Sequence, residues 1–104
     1  MLEQLHSGLF ALHIGKPCRL EAGGVTIETI LDEVTEKPLA RLPHAAADSR
    51  TPFNLYFRAA PDCPWSDGIF TLQFEGMEAI PGVYLNRVMN IGPTPGSLFQ
   101  AAFN

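Results

Sequence analysis

Thr51-Pro52-Phe53-Asn54-Leu55-Tyr56-Phe57-Arg58 and Gly68-Ile69-Phe70-Thr71-Leu72-Gln73-Phe74 decide the fold. In the first, Phe53, Leu55 and Phe57 alternate with Asn54, Tyr56 and Arg58. In the second, Phe70, Leu72 and Phe74 alternate with Ile69, Thr71 and Gln73. Strict alternation marks a strand with one buried face. The connection from Ala59 to Asp67 holds two prolines and ends in an aspartate before Gly68, which favours a loop. Two such runs in succession are expected to pair as an antiparallel hairpin, with six large apolar side chains on one face as the core.

Outward from these runs, Leu2, Leu5, Leu9 and Leu12 recur at three- and four-residue steps. That spacing predicts a short N-terminal helix from Leu2 to His13 with one apolar stripe, stopped by Gly15 and Pro17. Cys18 to Ala22 and Val25 to Glu28 read as a hairpin turning on Gly23-Gly24. The second strand is expected to continue to about Val34, with a bulge near Thr29-Ile30 where the apolar face switches. Residues 37–50, with Pro38, Pro43 and three consecutive alanines, read as a surface loop. Glu75 to Pro81 reads as a turn, Gly82 to Met89 as a strand, Asn90 to Gly96 as a turn, and Phe99 to Phe103 as a last strand.

The sum is a mainly β chain, a small antiparallel barrel or sandwich of about six strands, with a helix covering one end or an edge. The 104 residues form a single domain, 1–104, of ordinary size. A hydrophobic share of 46% supplies a core, and the charged share of 17% falls below the usual figure of about 25%. The net charge of −4, with Lys and Arg scattered singly, argues against nucleic acid as a partner. No apolar run approaches the roughly 18 residues of a membrane span, and Met1 to His6 lacks the pattern of a signal peptide. A cytoplasmic location is therefore expected, with Cys18 and Cys63 as free thiols.

Candidate chemistry is sparse. His6, His13, Cys18, His44 and Cys63 form none of the spacings that hold zinc, so no metal or cofactor is expected. Cys63, between Asp62 and Pro64-Trp65, is a nucleophile only if His13 or His44 comes to it in space. Asp32, Glu33 and Glu36 offer carboxylates for acid/base work, but a solvated charged face explains them as well. Trp65, framed by Pro64 and the acidic pair Asp62 and Asp67, reads either as a contact residue or as a cover over the barrel end. A protein partner bound at Trp65, Asp62 and Asp67, or along an exposed sheet edge that would also permit a homodimer, is the leading expectation. A ligand-binding barrel and an enzyme using Cys63 or the acidic cluster are the alternatives.

The segments also resemble a family of bacterial domains of roughly 100 residues and unknown function. Phe10-Ala11-Leu12-His13-Ile14-Gly15, Pro52-Phe53-Asn54-Leu55-Tyr56-Phe57-Arg58, Asp67-Gly68-Ile69-Phe70-Thr71-Leu72, Val83-Tyr84-Leu85-Asn86-Arg87-Val88 and Phe99-Gln100-Ala101-Ala102-Phe103-Asn104 follow its pattern in order. The chain departs from that pattern with Asp67 for glutamine, Asn86-Arg87 for an apolar residue and proline, and a long loop before Thr51. No activity attaches to that family, so the resemblance implies no catalytic residue. Its members are often encoded beside small phage-tail-collar-like proteins, which implies an accessory or assembly role.

Overall fold

The computed structural model describes residues 7–36, 52–65, 67–90 and 92–103. The elements are helix α1 (Ser7–Ala11) and strands β1 (Pro17–Ala22), β2 (Val25–Glu36), β3 (Phe53–Ala59), β4 (Gly68–Phe74), β5 (Ile80–Val88) and β6 (Ser97–Phe103). The strands are antiparallel and close into a barrel in the order β1-β2-β3-β6-β5-β4. Closure removes the two free edges of an open sheet, so edge-to-edge pairing loses the edge it was expected to use.

The two decisive runs are strands, as their alternation predicts, but they do not pair with each other. β3 pairs with β2 and β6, and β4 pairs with β1 and β5. In the closed ring they lie on opposite walls. The connection between them, residues 60–67, is longer than the two to five residues or so of common hairpin loops. It crosses the mouth of the barrel instead of turning back on itself. Alternation survives this change of partner, because Phe53, Leu55 and Phe57 face Phe70, Leu72 and Phe74 through the core. All six are buried, as are Phe99 and Phe103.

The β1–β2 hairpin forms where the sequence places it. Ala22 opposes Val25, and Gly23 and Gly24 supply φ of 55° and 83°, the left-handed pair that a two-residue turn of the right twist demands. The bulge in β2 falls later than expected. Thr29 and Ile30 pair regularly with Cys18 and Pro17, and the register shifts between Leu31 and Glu33. Thr29 holds the inward position between Ile27 and Leu31 because its hydroxyl donates to the Cys18 carbonyl at 2.7 Å. A buried hydroxyl so satisfied does not force the strand to bend. Asp32 is the extra residue, and beyond it β2 runs to Glu36.

β5 starts earlier than expected. Ile80 opposes Leu72 and Val83 opposes Phe70, so Pro81 and Gly82 form a two-against-one bulge across from Thr71. What reads as the end of a turn is an irregular strand.

α1 corrects the expected stripe. The described helix is a single turn, its buried residue is Phe10, Leu9 is exposed and Leu12 is 78% exposed. Leu2 and Leu5 lie outside the described residues, as do residues 37–50. One turn presents one side chain, and Phe10 seals the barrel end against Phe53, Phe74 and Phe103, with ring centroids 5.8, 5.6 and 6.1 Å away. The backbone that follows is tied to β2: Gly15 N–H donates to Leu31 O at 2.8 Å, and Leu31 N–H donates to Lys16 O at 3.1 Å. Among the described residues no helix is long and apolar enough to cross a membrane.

Candidate interaction surface

The end of the barrel opposite Phe10 gathers the β3–β4 and β5–β6 connections, and two arginines hold them. Arg87 falls on the inward register of β5, in line with Val83 and Leu85 and opposite Phe99. A guanidinium there must find acceptors at the rim. Its Nη1 donates to the carbonyls of Cys63 (2.7 Å) and Trp65 (3.0 Å), and its Nη2 donates to Ser97 Oγ (2.8 Å). Ser97 Oγ in turn donates to Pro61 O at 3.3 Å. The Asp67 carboxylate accepts the Arg87 backbone N–H (3.0 Å) and the Tyr84 hydroxyl (3.3 Å). Thus the Trp65 loop is pinned to β5 at Cys63, Trp65 and Asp67, and to β6 at Pro61.

Arg58 does the same for the β5–β6 connection. It points outward from β3 and forks onto Asp32, Nε to Oδ1 and Nη2 to Oδ2, both at 3.2 Å. Its Nη1 donates to the carbonyls of Thr94 (2.9 Å) and Pro95 (3.3 Å). Asn90 Nδ2 closes the turn from inside, donating to Thr94 O and Gly96 O.

The three expected contact residues therefore divide. Trp65 is 39% exposed on a held loop. Asp67 is a positioning group, engaged by Tyr84 and Arg87. Asp62 is exposed and has no cation partner among the described residues. The sequence reading missed Ile69 and Tyr84, directly opposed on β4 and β5, outward-facing, and 67% and 54% exposed. Their signal was legible as large apolar residues at the polar positions of alternating strands. The phenol of Tyr84 is shifted above its ordinary range, first by desolvation and then by the charge and hydrogen bond of Asp67.

The candidate catalytic groups are not assembled. Asp32 belongs to Arg58, Glu33 accepts from the Thr35 hydroxyl, and Glu28 pairs with Arg19 at 3.0 Å. Cys18 is buried in the core as a free thiol, pushed up to about 12 chiefly by loss of solvent. Cys63 is a half-buried free thiol on the loop. His13 packs against Phe74, ring centroids 5.1 Å apart and tilted by 53°, at the helix end of the barrel, while His6 and His44 lie outside the described residues. Among the described residues no three His, Cys, Asp or Glu side chains come together as a metal site.

The outer wall carries an open groove of about 550 Å³ lined by Pro17, Arg19, Glu28, Gln73, Phe74 and Glu75. The interior is occupied by side chains: Phe10, Phe53, Phe57, Phe99 and Leu20, Leu31, Leu55, Leu72 and Leu85 are all below 2% exposure. These features define a small closed β-barrel with a filled core, one mouth laced by arginines, and its accessible chemistry on the outside. The chain belongs to the family described as Domain of unknown function (DUF6916), whose model matches residues 5–103. No curated protein and no solved structure matches it.

Proposed function

We propose that the chain works through protein contact at its outer surface, as a non-catalytic interaction or assembly module. The observation that carries this reading is the contrast between inside and outside. The barrel is filled with apolar side chains, while Ile69, Tyr84 and Trp65 stand exposed beside the laced mouth. A filled barrel favours contact over a ligand held within it. Aromatic side chains on a held frame lose little entropy on binding and are enriched among interface anchors. The finer form of the proposal is an accessory role to a phage-tail-like or secreted polymeric protein encoded nearby.

The test is a pull-down with the proteins encoded beside it, using wild type, Trp65→Ala and the pair Ile69→Ser/Tyr84→Ser. The expected result is that both variants melt like wild type and lose the partner. Unimpaired capture by both variants removes this surface from the proposal.

A further inference from the structure

The charges on the outer wall narrow the partner, given the contact reading above. Each described arginine is engaged within the chain: Arg19 on Glu28, Arg58 on Asp32, and Arg87 on the loop carbonyls and Ser97. Beside the exterior of β4, by contrast, Glu21 on β1 and Glu75 make no ion pair among the described residues, while Arg19 in the same groove is committed to Glu28. Glu21 accepts only the Gln73 amide at 3.0 Å, and Glu75 lines the groove with no ion pair among the described residues. At the other end of the same strand lie Ile69 and Tyr84. Outward side chains of a strand repeat about every 6.6 Å, two residues at about 3.3 Å each. Ile69, Thr71 and Gln73 thus form one row, apolar at the mouth end and acidic at the groove end.

We propose that this row docks an extended segment of another protein that presents, on one face, an apolar residue at one end and lysine or arginine four and six residues away. Apolar side chains would cover Ile69 and the Tyr84 ring, and cations would reach Glu21 beside Gln73 and Glu75 in the groove. A second copy of the chain is the poorer occupant. It too carries a net charge of −4, and it would set carboxylates against carboxylates with Lys16 alone, among the described lysines and arginines, not engaged within the chain.

Labelled peptides test this by fluorescence anisotropy, each with leucine at one position and, four and six residues away on the same face, two lysines, two glutamates or two serines. The lysine peptide should bind best, more weakly as salt rises. Glu21→Lys/Glu75→Lys should weaken it roughly fivefold or more. The same charge change on the β2–β3 wall, Glu33→Lys/Glu36→Lys, should leave it within about twofold. Ile69→Ser should weaken all three peptides alike.

Equal affinity for the three peptides, or equal loss from the two charge reversals, overturns the inference. So does a dimer in sedimentation equilibrium that Ile69→Asp dissolves. If no peptide binds but Trp65→Ala still loses a captured partner, this inference falls while the contact reading stands. If the lysine peptide binds as described but Trp65→Ala keeps every partner, the row holds and the loop is excluded.

Discussion

The rings of Phe57 and Phe74 meet across the centre of the barrel, centroids 6.1 Å apart and tilted by 41°. They come from β3 and β4, strands that share no hydrogen bond and stand on opposite walls. Contacts of this kind set the width of the core, since a tilted pair packs two walls with no gap for water.

Removing a large ring from this core should therefore open the centre. Phe57 is fully buried and Phe70 nearly so. Phe57→Ala or Phe70→Ala should cost about 3–5 kcal/mol, enough to unfold a domain of ordinary stability. Thermal melts followed by circular dichroism check this. A variant that melts within a few degrees of wild type would mean that the ring does not hold the walls apart.

These rings also show what the sequence could and could not tell. Alternation depends on one strand and its burial, so Phe53, Leu55, Phe57, Phe70, Leu72 and Phe74 were identifiable as core from spacing alone. Pairing depends on partners far along the chain, and nothing in the period of β3 distinguishes β4 from β6 as its neighbour. The length of residues 60–67 was the available clue. The bulge at Asp32 was hidden for a related reason, because Thr29 looks like a break in the apolar face until its hydroxyl is seen to reach Cys18. In α1, the leucine period pointed to a stripe, but tertiary fit selected Phe10. The loop around Trp65 was visible from Pro61, Pro64 and Trp65. Its anchor was not, because an arginine on an inward register reveals its role only when carbonyls from another loop arrive.

Gly96 is a sharp test of the outer clamp. It has φ of 142°, and a Cβ added there would lie 2.7 Å from Arg58 Cγ and 2.9 Å from the Ala59 carbonyl oxygen. Backbone strain and the clash act together, so Gly96→Ala should destabilise by about 1–3 kcal/mol or more. Arg58→Ala would remove the side-chain clash but leave the carbonyl and the φ. The double variant should therefore recover only part of the Gly96→Ala loss beyond the cost of Arg58→Ala itself. Full recovery in a double-mutant cycle would assign the whole effect to the arginine.

The two thiols should behave differently. In native protein a maleimide should label Cys63 and spare Cys18, which is buried and holds its proton to about 12. After denaturation both should react. The raised value also fixes a sign: the folded state keeps the Cys18 proton where the unfolded thiol, near its ordinary value of 9.0, gives it up. The stabilisation is complete below about pH 9 and is lost as pH rises toward 12. Cys18→Ala should flatten that alkaline decline in denaturant melts. Labelling of Cys18 as fast as Cys63 in native protein would show that the barrel opens on that side.

Arg87 carries the last prediction, because it links fold to surface. Its guanidinium bonds Cys63 O, Trp65 O and Ser97 Oγ, while its backbone N–H bonds Asp67. A substitution that keeps the length of the side chain but loses the fork should free the loop and spare the backbone bond. Arg87→Met should thus lower stability by about 1–3 kcal/mol, chiefly from the bond lost to the buried Ser97 hydroxyl, with the exposed Cys63 and Trp65 carbonyls able to turn to water. Arg87→Lys should fall between, since one ammonium cannot span acceptors that the planar fork reaches together. Trp65 is the sole tryptophan, so its emission reports the loop without a label. In Arg87→Met the spectrum should move to the red and acrylamide should quench it faster, at temperatures well below the melt. If Trp65 emits and quenches as in wild type while stability falls, Arg87 braces the strands alone, and the loop is held by Asp67 and its prolines.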